Sequence, residues 1–181
     1  MFVSEELRKT NIAEYLLYMW QVEDSIRAAG LDADVLMASV AKGSGRSESD
    51  CASWRDWYQD MIDMMRREGK EEKGHLQVNM NLLEMLTDLH RRLLESEKVP
   101  EYHDAYYKAL PFIVEIRSRK GESRGNELED CFDLMYGLWM LRLQHRTISE
   151  STTRAAGTIS AMIAMLASYY RKEKAGILEL E

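Results

Sequence analysis

The sequence is poor in proline and cysteine, and each shortage argues against a class of protein. Only two prolines, Pro100 and Pro111, occur among 181 residues, so few positions force a helix to end. The two cysteines, Cys51 and Cys131, do not form a CxxC pair, which argues against a disulfide framework and a structural zinc site. We therefore expect reduced thiols and a fold that depends on its apolar core.

Long uncharged runs are also missing. The longest run without charge, AAGTISAMIAMLASYY, covers residues 155–170, is too short to span a bilayer and contains hydroxyl side chains. The amino terminus, MFVSEELRKTNIAEY, lacks the basic, apolar and small-residue order of a secretory signal. We expect a soluble, cytoplasmic protein that has no membrane partner.

The charge balance is negative. Asp and Glu outnumber Lys and Arg by 31 to 24, which gives a formal net charge of -7. A general nucleic-acid binder needs a positive surface to meet phosphates. We therefore expect no nucleic-acid partner.

Apolar residues recur every three or four positions along almost the whole chain. This spacing is typical of amphipathic helices, and no segment shows the alternation of a strand. The sequence predicts an all-α fold: a single-domain antiparallel bundle of six or seven helices that spans residues 1–181. The first of these helices should cover residues 5–29.

Capping residues mark the starts of the last two predicted helices. Asn126 is followed three positions later by Glu129, and Thr147 by Glu150, which is the spacing of a capping box. These boxes predict helices over residues 127–145 and 148–173. Pro111, inside the preceding helix, should kink or split it.

Glu23 is a carboxylate in an otherwise apolar stripe. On a helical projection it lies among Ile12, Leu16, Met19 and Ile26, so it should face the core. An unpaired buried carboxylate is costly, because it loses its hydration without compensation. The sequence therefore predicts a specific partner for Glu23.

Two other predicted helices also carry polar residues on their core faces: Asn79 and His90 on one, and Arg142 on the other. Three interpretations stay open. In the first, Glu23 pairs with Arg27 one turn later, and both bend toward solvent. In the second, Glu23 and Arg142 form an internal pair, satisfied by His90 or Asn79, that fixes the helix register. In the third, the same residues line a pocket in which Arg142 binds an anionic ligand and His90 or Glu23 transfers a proton.

Catalytic and metal-binding motifs are incomplete. A di-iron bundle needs repeated Glu-x-x-His pairs, and only Glu72 and His75 match. Glu127 and Asp130 match half of the carboxylate pattern of helical nucleotide pyrophosphohydrolases, but a role at a helix start explains them. Walker and GxSxG motifs are absent. We expect no metal and no cofactor.

The last predicted helix carries a strip of small residues beside a bulky apolar strip. Small side chains let two helices approach closely, so the strip is either a dimer face or one side of a central helix that is packed all around. The members of the small strip are Ala156, Ser160, Ala164 and Ala167.

Four segments resemble an uncharacterised, all-helical bacterial family that is known mainly from gut anaerobes and is classed as a domain of unknown function. The segments are IAEYLLYMWQVEDSIR, GHLQ, DLHRRLL and LRLQHRTISEST. The resemblance runs nearly end to end and implies a helical fold. It implies no activity, cofactor or catalytic residue.

We therefore expect a non-enzymatic helical domain that binds a protein partner or forms a homodimer. The alternative is a small-molecule binder or an enzyme that holds a small anionic ligand. Its ligand-binding candidates are Glu23, Asn79, His90 and Arg142.

Overall fold

The computed structural model describes residues 3–41, 48–120 and 126–180, and these ranges contain eight helices and no strand. None of these helices is both long and apolar enough to cross a membrane. The predicted all-α class is confirmed, whereas the predicted number of six or seven helices is wrong. The helices are α1 (Val3–Thr10), α2 (Ile12–Ala28), α3 (Ala33–Ala41), α4 (Glu48–Arg67), α5 (Gln77–Glu95), α6 (Pro100–Lys120), α7 (Glu127–Leu143) and α8 (Glu150–Lys174).

The additional helix arises because the first predicted helix is divided at Asn11. Oδ1 of Asn11 accepts a 3.3 Å hydrogen bond from the Glu14 amide, and Nδ2 of Asn11 donates to Oε1 of Glu14 at 2.8 Å. A side chain that accepts from the third residue of the following helix is an N-cap. Asn11 therefore starts α2 and separates it from the short α1.

The last two helices begin at side-chain caps. The predicted capping box is confirmed at α7, where Oδ1 of Asn126 accepts from the Glu129 amide at 2.8 Å and Oε2 of Glu129 accepts from the Asn126 amide at 3.3 Å. At α8 the cap is Ser149, whose Oγ accepts from the Thr152 amide at 3.2 Å. The second predicted box, at Thr147, is wrong because Ser149 lies closer to the helix and takes this role.

Pro111 does not split α6, which runs continuously from Pro100 to Lys120. A proline inside a helix removes one amide donor, but the hydrogen bonds of the adjacent turns can keep the helix intact. Pro111 is itself exposed, so its ring is on the outer side of α6. The prediction that it splits the helix is wrong.

The residue contacts divide the chain into two compact units. The first unit consists of Met1–Leu17 and Leu82–Glu181. Within it, α6 and α7 both pack against α8. The interior side of α8 is apolar and includes Ile159, Met162 and Leu166, each at most 1% exposed. This packing buries the interior side of α8 against its neighbours.

The strip of small residues on α8 is therefore not an open face. Ala156 and Ala167 are buried, Ser160 is half-buried and only Ala164 is exposed. The strip offers no continuous exposed surface to a second copy, which favours packing within the fold over a dimer face.

The second unit consists of Tyr18–Asn81. Within it, α3 packs against α4. The boundaries between the two units fall inside α2 and α5, so each of these helices contributes residues to both. The assignment of residues 1–181 to one domain stays a prediction. Fully buried side chains of the second unit include Trp20, Ile26, Ile62, Met65 and Leu76.

Candidate functional site

Glu23 lies in the buried stripe of α2, as its helical spacing predicted. Its neighbours on this stripe, Met19, Trp20 and Ile26, are at most 3% exposed, and Glu23 itself is 0% exposed. A buried carboxylate needs hydrogen-bond donors to replace the water that it has lost. The donors around Glu23 therefore determine its role.

Three donors next to the start of α5 reach the carboxylate of Glu23. Oε1 accepts from the Leu76 amide at 3.0 Å and from Nδ2 of Asn79 at 2.6 Å. Oε2 accepts from Nδ1 of His75 at 2.7 Å. Amides at the start of a helix have no carbonyl partner within the helix, and a negative charge there interacts favourably with the helix dipole. Glu23 therefore fixes the position of the α5 N-terminus.

His75 is the partly exposed member of this group, which we call the Glu23 cluster (Glu23, His75, Leu76 and Asn79). Its ring stacks on Trp20, with ring centroids 4.1 Å apart and an interplanar angle of 15°. The His75 side chain is 24% exposed. With the carboxylate as acceptor, Nδ1 of His75 carries the hydrogen, and Nε2 takes no part in the cluster.

Arg27 binds the backbone of the segment that precedes α5. Its Nε and Nη2 donate to the Lys70 carbonyl at 3.2 and 3.1 Å, Nη2 also donates to the Gly74 carbonyl, and Nη1 donates to Asp24 at 2.7 Å. The predicted pair of Glu23 with Arg27 is therefore wrong. Instead, the guanidinium of Arg27 donates to backbone carbonyls. Glu23, one turn earlier on α2, accepts from the Leu76 amide, which follows these carbonyls in the chain.

A second buried polar group, the His90 cluster (His90, Tyr102, Tyr106 and Glu127), lies in the unit that contains α6, α7 and α8. Nδ1 of His90 is 2.6 Å from the hydroxyl of Tyr102, and Nε2 is 3.6 Å from Oε1 of Glu127. The hydroxyl of Tyr106 also hydrogen-bonds to Glu127. His90 is 7% exposed and Tyr102 is 0% exposed, so the Tyr102 contact is shielded from water.

The pKa values of the two phenols and of Glu127 are shifted in the His90 cluster. Burial raises the pKa of Tyr102, and burial together with the charge of Glu127 raises the pKa of Tyr106 to about 12. Both phenols therefore keep their protons at neutral pH. The Tyr102 hydroxyl and Nδ1 of His90 share one hydrogen bond, and Nε2 of His90 faces Glu127. Hydrogen bonds from His90 and Tyr106 lower the pKa of Glu127.

The comparisons with known proteins assign a family. Residues 1–177 match the model of the family described as "Domain of unknown function (DUF4924)". The chain belongs to this family. The resemblance to a domain of unknown function is thereby confirmed, and the match extends over both units of the fold. No curated protein and no solved structure that was compared with the chain gives a significant match.

In this DUF4924 chain, the four candidate residues from the sequence do not form one network. Glu23 and Asn79 are hydrogen-bonded, whereas His90 belongs to the other cluster and the other unit. Arg142 is an exposed residue in the last turn of α7. Because Glu23 is fully buried and Arg142 is exposed, the predicted internal pair between them is wrong.

Sequence reasoning missed two buried or half-buried acids of α7. Glu127 and Asp130 had been explained as residues of a helix start, but Glu127 belongs to the His90 cluster, and Asp130 is 1% exposed and accepts a 2.6 Å hydrogen bond from Nη1 of Arg117. The available signal was their position beside Leu128 and Cys131, which are both buried. An acid that flanks a buried stripe can turn toward it when a donor is near.

The chemistry of both clusters is that of interior hydrogen bonding. In the described ranges, no group of three or more His, Cys, Asp or Glu side chains is arranged to hold a metal ion. The carboxylate of Glu23 accepts from three donors, and Nδ1 of His90 is hydrogen-bonded to the hydroxyl of Tyr102. These bonds hold helices in position within each unit.

Proposed function

We propose that this DUF4924 chain is a non-enzymatic interaction domain that pairs with a second copy of itself through the outer face of α6. The proposal is supported by an exposed apolar stripe on this helix. Tyr107 is 65% exposed, Val114 is 57% exposed, and exposed Pro111 lies between them. Steps of four and three residues put all three side chains on one helix face. Contiguous exposed apolar side chains are typical of association sites.

The opposite side of α6 is firmly packed, so the stripe is presented on a fixed element. Tyr102, Ala109 and Ile113 are each 0% exposed, and α6 packs against both α7 and α8. A binding surface on a rigid helix loses little conformational entropy when a partner docks. The stripe therefore resembles one half of a helix-to-helix interface.

The charges beside the stripe favour a second copy as the partner. Asp104 precedes Pro111 by seven residues, and Arg119 follows it by eight. An α-helix rises about 1.5 Å per residue. In an antiparallel pair of helices centred on Pro111, Asp104 of one copy and Arg119 of the other therefore differ by only about 1.5 Å in their positions along the helix axis. Among the residues that the structure describes, Asp104 has no ion-pair partner, and Arg119 pairs only with exposed Glu115.

This arrangement is self-complementary, as a two-fold interface requires. The same patch supplies an acid at one end and a guanidinium at the other, so an antiparallel pair contains the same acid-to-guanidinium contact twice. The stripe alone is smaller than a standard stable interface, so we expect a weak dimer that forms as the concentration rises.

The anionic-ligand alternative has less support. It requires Arg142 to hold a ligand beside Glu23, but Arg142 is exposed, and both carboxylate oxygens of Glu23 already accept hydrogen bonds. Self-association therefore has the better physical basis.

Sedimentation velocity over a concentration series tests the proposal. The test variant is Val114→Glu, which adds charge to the stripe. The matched control is Val78→Glu, because Val78 is also a half-exposed valine, 48% exposed, and lies in the first turn of α5, where an acid is favourable.

The wild type and Val78→Glu should show a dimer fraction that rises with concentration, while Val114→Glu should stay monomeric. Circular dichroism should be the same for all three proteins. A wild type that is monomeric at every concentration, or a Val114→Glu variant that dimerises like the wild type, contradicts the proposal.

A further inference from the structure

A groove lies between α2, α3 and α4 in the unit formed by Tyr18–Asn81. Its volume is about 490 Å³, within the range of roughly 300–1,000 Å³ that is typical of small-molecule sites. One side of the groove is formed by α2, on which Tyr18, Gln21 and Ser25 lie on one face. The other sides are formed by α3, which contributes Leu36, and α4, which contributes Tyr58. The groove is therefore large enough for a ligand and is built from three helices.

None of the ten residues that line the groove is charged, although 30% of the chain is. A charged ligand would lose hydration on entering and would find no opposite charge to replace it. An uncharged ligand does not meet this cost. The lining therefore favours neutral molecules, in a protein whose surface is otherwise rich in charge.

Two polar side chains of the lining are available for hydrogen bonds. Gln21 and Ser25 lie on the groove side of α2, and their side chains make no hydrogen bond to any part of the chain that the structure describes. Gln21 offers a donor and an acceptor, and the hydroxyl of Ser25 can act as either. Ala28, one turn beyond, has a small side chain that lets a ligand approach the helix.

Tyr58 is a nearly buried aromatic residue of the lining. It is only 5% exposed, and its ring centroid lies 5.0 Å from that of Trp57 and 5.9 Å from that of Trp54. Because Tyr58 is almost fully covered, most of the apolar lining that a ligand can reach belongs to Val35, which is 54% exposed, and to half-buried Tyr18. Leu36, which is 4% exposed, adds a fixed aliphatic wall.

We infer that this groove binds a neutral small molecule that combines a flat ring with an amide or hydroxyl group. The ring packs against Tyr18 and Val35, and the polar group meets Gln21 and Ser25. No residue of α6 lines the groove, so the inference is independent of the proposed self-association.

Ligand-observed NMR titration of the full chain tests the inference with matched probes. Benzamide and nicotinamide are neutral, and benzoate and nicotinate have the same rings with a carboxylate in place of the amide. Ala28→Leu places a larger side chain in the groove. Ala52→Leu, at an exposed position on α4 outside the groove, is the control substitution.

The neutral amides should bind saturably, and the carboxylates at least about tenfold more weakly. Ala28→Leu should abolish binding of the amides, and Ala52→Leu should retain it, with unchanged circular dichroism in both. The inference is overturned if neither amide binds, if the carboxylates bind as well, or if Ala28→Leu binds like Ala52→Leu.

Discussion

Nδ2 of Asn79 donates a 2.6 Å hydrogen bond to Oε1 of Glu23, which joins a carboxylate of α2 to the first turn of α5. The same oxygen accepts the amide of Leu76, the residue just before α5. Leu76 has no polar side chain with which to cap its own helix. A carboxylate from another helix takes this role, which explains why an acid lies in an apolar stripe.

Removal of the Glu23 carboxylate should strongly destabilise the fold. Glu23→Ala leaves three donors without an acceptor in a buried site, so we expect the free energy of unfolding to fall by about 3–5 kcal/mol. Glu23→Gln fills the same space but places an amide group against donors, so a loss of about 1–3 kcal/mol is expected. Urea unfolding at neutral pH measures both.

Glu84→Gln is the matched control for these variants, because Glu84 is exposed on α5. Its effect should stay within about 0.5 kcal/mol of the wild type. If Glu23→Ala is no more destabilising than this control, the carboxylate does not hold the start of α5.

Loss of the Arg27 guanidinium should loosen the segment that precedes α5. Arg27→Gln removes its hydrogen bonds to the carbonyls of Lys70 and Gly74, so hydrogen exchange should speed up in residues 70–76. Exchange in α8 should not change. Arg146→Gln, at an exposed position, is the control. Unchanged protection of residues 70–76 in Arg27→Gln would show that these bonds do not hold the segment.

The Glu127 carboxylate should add a small amount to the free energy of unfolding, and this contribution should be lost in acid. Its pKa is lowered from the ordinary 4.5 in the folded protein by hydrogen bonds from His90 and Tyr106. The folded state therefore binds fewer protons than the unfolded state, so the contribution is complete above pH 4.5 and is lost as the pH falls through the lowered pKa.

Urea unfolding between about pH 3 and pH 6 checks this dependence. The wild type should lose more stability on acidification than Glu127→Gln, by about 1 kcal/mol or less, because the Glu127 side chain is 32% exposed and is screened by solvent. Glu84→Gln should behave as the wild type does. An identical acid dependence in Glu127→Gln and the wild type would refute this assignment.

The charges beside the α6 stripe should act across the dimer. Asp104→Arg and Arg119→Asp should each weaken dimerisation about two- to fivefold, because each puts like charges opposite one another. The double exchange should restore most of the affinity, since it reverses both partners. Sedimentation equilibrium of the four proteins gives the coupling. A double variant that dimerises more weakly than either single one contradicts the antiparallel register.

The burial of Glu23 could be predicted from the sequence, and Asn79 was among its candidate partners, but His75 and the Leu76 amide could not be predicted. The spacing of apolar residues determines the face on which a helical side chain lies. One partner of Glu23 is a backbone amide, 53 positions away along the chain, and a backbone amide has no sequence signature. The same spacing wrongly assigned Arg142 to the interior. The spacing of apolar residues gives the face of a helix but does not show that the last turn of α7 is exposed to solvent.

The outer stripe of α6 also could not be predicted. Ile113 and Val114 are adjacent and similar in chemistry, yet Ile113 is 0% exposed and Val114 is 57% exposed. Only the packing of α6 against α7 and α8 distinguishes them. By contrast, the cap at Asn126 is local, so the sequence was sufficient to locate the start of α7.

Cysteine cross-linking at the centre of α6 tests the self-association most directly. In a two-fold antiparallel pair centred on Pro111, position 111 of one copy lies opposite position 111 of the other. Closely packed helices bring such facing Cα atoms to about 4–6 Å, which is within the range of a disulfide bond. With Cys51 replaced by Ser and buried Cys131 retained, Pro111→Cys should form a covalent dimer under mild oxidation, while the control Val78→Cys stays monomeric. A Pro111→Cys protein that remains monomeric, or that cross-links no faster than Val78→Cys, would contradict pairing through α6.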